Sequence, residues 1–211
     1  MTLVAVAGTG TDIGKTYVSA ALLRLLRVRG CVVAACKPVQ SFVDGETSTD
    51  ADVLARATGV APTDVCPSHR WLPLPMAPPI AAEALGLPPF TIADLAGEVQ
   101  ASRGDHTRTL VETAGGVRSP IASDGDCVAL IDALAPALVL LVADAGLGTI
   151  NLVRLSRDAL WRQHPVVVYL NRFDETSDLH RRNADWLRTR EGFEVVSDIE
   201  ALATFVEPVA R

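Results

Sequence analysis

Gly8-Thr9-Gly10-Thr11-Asp12-Ile13-Gly14-Lys15-Thr16 is the stretch whose reading decides the fold. It follows Leu3–Ala7, a continuous apolar run that reads as a buried strand. It leads into Lys15–Arg29, where apolar Val18, Ala21, Leu22, Leu25 and Leu26 recur at helical spacing and Gly30 supplies the stop. A strand, a glycine loop ending in Gly-Lys-Thr and a helix form the context of a phosphate-binding loop. Backbone N–H groups of the loop and the helix start converge on anionic oxygens, and glycines let the chain come close to them. Lys15 then bridges terminal phosphates, and the Thr16 hydroxyl is a ligand for Mg2+. The common form of this loop has four residues between its two glycines. Here Thr9 stands where the first glycine is expected and the glycine is Gly8, so the spacing is Gly-x5-Gly-Lys-Thr.

Outward from the loop, apolar runs alternate with helical patterns. Val32–Cys36, Leu110–Glu112, Ala137–Ala143 and Pro165–Leu170 read as strands, with Glu194–Val196 a weaker one. Helical stretches are Ala51–Thr58, Ile80–Leu85, Ile92–Arg103, Asp126–Leu134, Ile150–Arg162 and Leu179–Arg190. Near-continuous apolar strands separated by helices predict an α/β fold with a doubly wound, mostly parallel sheet, of the P-loop NTPase type. The 211 residues suffice for one well-buried domain, taken here as 1–211. The segment Cys66–Pro89 carries seven prolines and reads as a long surface excursion.

Composition removes several function classes. The net charge of -6 disfavours a nucleic-acid partner. The longest apolar run, Ala137–Ala143, is too short to span a bilayer, and Met1–Ala7 has no basic leader, so a cytoplasmic protein without membrane contact is expected. Cys31, Cys36, Cys66 and Cys127 form no C-x-x-C pair and read as reduced, buried hydrophobes. His69, His106, His164 and His180 show no triad or metal spacing, and Trp71, Trp161 and Trp186 read as packing residues. Only Lys15 and Lys37 are lysines among 19 basic residues. A lysine kept against an arginine background points to a need for its compact charge.

A metal also needs carboxylates. Glu112 ends a strand just before Thr113-Ala114-Gly115-Gly116, and a carboxylate there faces the ligand crevice of an open parallel sheet. The acidic stretch after the second strand offers Asp44, Glu46, Asp50 and Asp52. Either one of them completes the metal shell or the run is a solvated loop.

At this point the chain resembles the dethiobiotin synthetase family. That family's loop has the same Gly-x5-Gly-Lys-Thr spacing. Its Lys-Pro-Val block is similar to Lys37-Pro38-Val39, its Glu-Gly-Ala-Gly-Gly block to Glu112–Gly116, and its Leu-Gly-x-Ile-Asn block to Leu147–Asn151. An Asn ending the next strand matches Asn171. The blocks run in order from residue 8 to about 171.

The resemblance implies a homodimeric enzyme that closes a ureido ring on 7,8-diaminononanoate with CO2 and ATP, through a phosphorylated carbamate. It implies Lys15 and Lys37 as catalytic cations, with Lys37 beside the carbamate. Thr16, Asp50 and Glu112 become the Mg2+ ligands. Asp12, Ile13, Gly14, Lys15, Thr16, Tyr17, Glu112, Gly115 and Asn171 become the nucleotide site, with Asn171 on the adenine. Thr11 and Ser41 place the diamine, and Asn151 reaches its carboxylate tail across the dimer interface. Gln40-Ser41-Phe42, Thr113 and the tail Val195–Glu200 depart from the family pattern, which leaves room for a paralogous ligase with another substrate.

Other readings attach to particular residues. Asn171-Arg172-Phe173-Asp174 resembles the guanine-reading motif of GTPases, although no Asp-x-x-Gly block accompanies it. A ParA/MinD-like switch would carry an extra lysine early in the loop, where Thr9 and Gly10 stand. A cobyrinate-type amidoligase would need a glutaminase domain that 211 residues do not hold.

Overall fold

The computed structural model describes residues 2–102, 108–160 and 164–207. Of the residues discussed above, Met1, Arg103, His106, Trp161 and Arg162 lie outside the described residues, as do positions 208–211.

β1 (Thr2–Gly8) leads through the glycine loop into α1 (Lys15–Val28), and β2 (Val33–Cys36) follows. The short β3 (Gln40–Ser41), α2 (Asp50–Thr58), α3 (Pro62–Val65), β4 (Trp71–Leu72) and α4 (Pro78–Ala84) come next. Then come α5 (Ile92–Ser102), β5 (Arg108–Glu112), β6 (Pro120–Ala122), β7 (Gly125–Asp126) and α6 (Cys127–Leu134). The chain continues with β8 (Leu138–Asp144), α7 (Thr149–Leu160), β9 (Val166–Asn171), α8 (Asp178–Thr189), β10 (Glu194–Val196) and α9 (Ile199–Val206). Six strands form one parallel sheet in the order β10-β9-β8-β1-β5-β2. β1 is central, and the chain turns to one side of it and later to the other. The crevice beyond the carboxyl ends of β1, β5 and β8 is therefore the ligand end.

Alternation along the strands sorts the core. Val4 and Val6 of β1, with Leu138, Leu140 and Val142 of β8, point to the face covered by α1, α2 and α9. Ala5, Ala7, Val139, Leu141 and Ala143 point to the other face, covered by α7 and α8. This is the two-residue period of a strand buried on both sides. Beyond Lys15, the buried set of α1 is Val18, Ser19, Ala20, Leu22, Leu23 and Leu26, wider than the stripe read from sequence. Ala21 and Leu25 are only half-buried. The helix is packed by both α2 and α9, and two neighbours bury more than one stripe.

One expectation is corrected. The proline-rich segment is not a bare surface excursion. It forms β4 against β3, and Leu72, Ala81, Ala82 and Phe90 are buried with Val39, Leu95 and Ile121. Prolines suit the first turn of a helix, where their missing N–H costs nothing, and Pro78 and Pro79 open α4 in this way. The tail after β10 is helical. Asp198 caps α9 by accepting from the Ala201 N–H at 2.7 Å. Leu202, Ala203 and Val206 of that helix join the α1 core, and Arg29 pairs with Glu200 and Glu207.

Candidate active site

Each half of the site grows from a strand end. At the end of β1 the loop turns through Asp12, at φ 57°, and Gly14, at φ 91°, before α1 begins. Gly14 has a second reason to be glycine. A Cβ there would sit 2.1 Å from Asn171 Nδ2, a separation no side chain tolerates. Asn171, at the end of β9, donates that amide to the Ile13 carbonyl at 2.8 Å. Its neighbour Arg172 donates to the Asp12 carbonyl and to Asp144, each at 2.9 Å. The loop is thus braced from β9.

Lys15 is 7% exposed and donates to the Gly10 carbonyl at 3.1 Å. Burial, and after it the charge of Lys37, holds its ammonium below the ordinary lysine value. An anion arriving in the loop relieves both effects.

The second half comes from β5, β2 and α2. Glu112 is 1% exposed at the end of β5. Its Oε1 accepts from Thr16 Oγ1 at 2.7 Å and from Lys37 Nζ at 2.8 Å, and its Oε2 accepts from Ser19 Oγ at 2.8 Å. Asp50 opens α2, with Oδ1 2.7 Å from Thr16 Oγ1 and Oδ2 2.6 Å from Lys37 Nζ. Lys37 is therefore a buried cation, 3% exposed, between two carboxylates. Burial is the largest single influence and lowers its pKa, yet Glu112 and Asp50 together outweigh it and hold the ammonium above its usual range. Asp50 is held below its ordinary value: burial opposes this, but Lys37 and Thr16 prevail.

These shifts fix a pH expectation. A lysine raised above 10.5 keeps its stabilising effect at all lower pH and loses it only as pH rises through the shifted value. An aspartate lowered from 3.8 keeps its effect above that value and loses it as pH falls through the shifted one. The stability difference between the wild-type chain and Asp50→Asn should therefore be constant between about pH 5 and 9. Thermal denaturation across that range checks it; a slope near neutrality would mean that this ion cluster is not as described.

Thr16 also tests the metal reading. Its hydroxyl has one proton but lies 2.7 Å from a carboxylate oxygen on either side. One contact is a hydrogen bond from Thr16, and the other brings two acceptors together. Two carboxylates and a hydroxyl converging in this way suit a hard cation that takes its remaining oxygens from phosphate and water. Among the described residues no cluster of three or more His, Cys, Asp or Glu offers a rival metal site.

A cavity of about 800 Å³ opens over this cluster. Thr11, Asp12, Gly14, Lys15, Thr16, Lys37, Ser41, Asp50 and Gly115 all line it. Tyr17 is 68% exposed beside the loop. Asn151 is exposed on α7 and does not line the cavity. Asp52 is turned away: it closes a capping box with Thr49 at the start of α2. Ser19, one helical turn beyond Thr16, escaped the reading of the sequence, although its i+3 spacing from Thr16 carried the signal. So did the wall Pro75–Pro78, which no local motif announces. A second cavity, of about 440 Å³, lies behind β2 near α2, α3 and α5 and holds neither lysine. Asp174, which the guanine-reading motif would present to a base, is exposed and accepts instead from the Thr176 N–H and hydroxyl of its own turn.

Comparison with known proteins agrees with this geometry. The model of the AAA domain family matches residues 2–209. An ATP-dependent dethiobiotin synthetase of Rhodococcus jostii is 43% identical over 162 residues, covering 76% of this chain and 68% of that protein. One of Streptomyces avermitilis is 34% identical over 184 residues, covering 86% and 76%. Among solved structures, chloroplast FtsY from Physcomitrella patens matches with TM-score 0.58 at 18% identity, covering 98% of this chain and 65% of that one. A plasmid partition protein from Borrelia burgdorferi matches with TM-score 0.57 at 14% identity, covering 97% and 95%. Likeness at such low identity shows the P-loop α/β fold alone. The relatives above 30% identity say more: this chain belongs to the ATP-dependent dethiobiotin synthetase family.

Proposed function

We propose that the chain converts 7,8-diaminononanoate, CO2 and ATP into the cyclic urea dethiobiotin, ADP and phosphate. The observation that carries this reading is the buried meeting of Lys37 with Glu112 and Asp50 at the mouth of the phosphate loop. A plain nucleotide switch has no need of a second buried cation there.

In the proposed sequence one substrate amine adds to CO2 and loses a proton, giving a carbamate. A carbamate oxygen attacks the γ-phosphorus, and the bond to ADP breaks. The second amine attacks the carbonyl carbon and gives up a proton to solvent, and phosphate leaves with the electrons of the C–O bond. Lys15 lies along the β- and γ-phosphates, where the arriving negative charge favours its ammonium form. Lys37, kept protonated by its two carboxylates, acts as a fixed cation at the carbamate and the transferred phosphoryl group and not as a base. Thr16, Asp50 and Glu112 would hold Mg2+, which, when bound, neutralises charge on the phosphate oxygens. Asp12, Ile13, Gly14, Tyr17 and Gly115 frame the nucleotide. Asn171 spends one amide hydrogen on Ile13, and a carboxamide has a further donor and an acceptor for the adenine edge. Thr11 and Ser41 place the diamine.

A homodimer completes the proposal. Asn151 is outside the cavity of its own chain, and on and beside α7 Leu147, Leu152 and Leu155 are 91%, 44% and 61% exposed. A second copy on that face would cover them and bring its substrate tail to Asn151. No helix among the described residues is long and apolar enough to cross a membrane; we place the reaction in the cytoplasm, where ATP is supplied.

Coupled ADP-release kinetics test the reading. ADP should appear only when diamine and bicarbonate are both present, and chelation of Mg2+ should abolish it. Equal ADP release without the diamine would replace the synthetase with a simple ATPase.

A further inference from the structure

Gln40 sits on β3, beside the cluster but assigned no part in it. It is 2% exposed and lines the 800 Å³ cavity. Its Oε1 accepts from the Ala51 N–H at 3.0 Å. That bond settles which end of the carboxamide is which, because a backbone N–H needs an oxygen there. The Nε2 group is consequently fixed in place, and it has no partner among the described residues. A buried donor left unsatisfied is costly and calls for an explanation. The neighbouring Ser41 hydroxyl is buried and unpartnered too, and it lines the same cavity. Backbone pairing of Gln40-Ser41 with Trp71-Leu72 holds both side chains in position.

We propose that Gln40 is a specificity residue: its Nε2 donates to an oxygen of the carbamate and so distinguishes the carboxylated substrate from the bare diamine. This deepens the reading above and rests on it. The chemistry of the donor makes the choice. A carboxamide nitrogen gives hydrogen bonds and accepts none. A protonated diamine also offers only donors, so Gln40 contributes nothing to its binding. Addition of CO2 turns one amine into a group with two acceptor oxygens, and only then does Nε2 find a partner. Lys37 alone is a poorer discriminator, since its charge is shared with Asp50 and Glu112 whether or not the amine has been carboxylated. The other end of Gln40 holds the Ala51 amide, next to Asp50, so the side chain that reads the carbamate also fixes the start of α2.

The test is diamine binding by calorimetry with and without bicarbonate, in the absence of ATP. The wild-type chain should bind 7,8-diaminononanoate more tightly when bicarbonate is present. Gln40→Met removes both ends of the carboxamide and should lose that bicarbonate-dependent gain by about tenfold or more, the worth of a hydrogen bond to a charged acceptor. Its affinity for the diamine alone should stay within about twofold. Gln40→Glu keeps the acceptor for Ala51 and swaps the donor for a second acceptor. It should lose the gain as well, which guards against a loss caused merely by movement of α2. Full retention of the gain in either variant overturns the role of Gln40, as does an equal loss with and without bicarbonate. A wild-type chain with no bicarbonate effect would overturn the synthetase reading itself, a separate outcome.

Discussion

Lys37→Met should bind ATP within about threefold of the wild-type chain and lose about 10²–10³ in kcat, the usual loss when one preorganised charge-stabilising group is removed. In the proposed mechanism the residue meets the group being transferred and not the nucleotide, so nucleotide affinity is spared while the transition state is not. The variant also carries a structural penalty, and the two effects can be separated. Removing Lys37 leaves Glu112, 1% exposed, as a buried carboxylate without its cation. Breaking one partner of such a pair costs about 3–5 kcal/mol. Lys37→Met/Glu112→Gln also removes the buried carboxylate's charge and should recover much of that stability, since the remaining carboxylate, Asp50, is 42% exposed and open to water. It should recover none of the turnover. Thermal denaturation and steady-state kinetics on the three proteins decide the matter. A variant that binds ATP poorly yet turns over normally at saturation would assign Lys37 to the nucleotide and not to the reaction.

Gly14→Ala should weaken nucleotide binding by about a hundredfold or more. Two costs add. An L-residue at φ 91° is strained by about 1–3 kcal/mol. The new Cβ also meets Asn171 Nδ2 at 2.1 Å and Asn171 Cγ at 3.3 Å. Asn171 has to give way, and the bond that braces Ile13 goes with it, which adds about 0.5–1.5 kcal/mol. At 1.4 kcal/mol per tenfold, the sum spans roughly ten- to a thousandfold before any displacement of Lys15 and Thr16 is counted. The two costs part in a double variant: Asn171→Ala in the Gly14→Ala background relieves the clash but not the backbone strain. Binding of the double variant should therefore be tighter than the sum of the single losses predicts. Strict additivity would mean that Asn171 does not press on the loop. ATP titration of the four proteins by calorimetry provides the measurement.

Which parts of this molecule were legible in its sequence follows from how local each signal is. Both large effects arise at residues that short patterns expose: Gly14 and Lys15 in a glycine loop, and Lys37 as one of two lysines. Strand alternation, helix period and the position of Glu112 at a strand end are set within a few residues, and they determined the parallel α/β fold, the ligand end of the sheet and one carboxylate of the cluster. The boundaries moved by only a residue or two. The acidic stretch between β2 and α2 was different. Asp50 and Asp52 are equal candidates on spacing, and the choice fell to helix capping. Asp52 sits at the third position of α2 and is consumed by Thr49, which leaves Asp50, at the first, to face Thr16 and Lys37. The wall Pro75–Pro78 and the placement of Gln40, whose Oε1 accepts from the Ala51 N–H, lay equally out of reach. They depend on β3 meeting β4 across some thirty residues of chain, a contact no periodicity encodes. The sequence by itself determined the loop, the sheet and the two lysines, because backbone geometry and residue chemistry act over neighbouring positions. Only the tertiary structure decided which carboxylate joins Glu112, what braces the loop from β9 and which buried donor waits in the cavity, because those were settled by packing between segments distant in the chain.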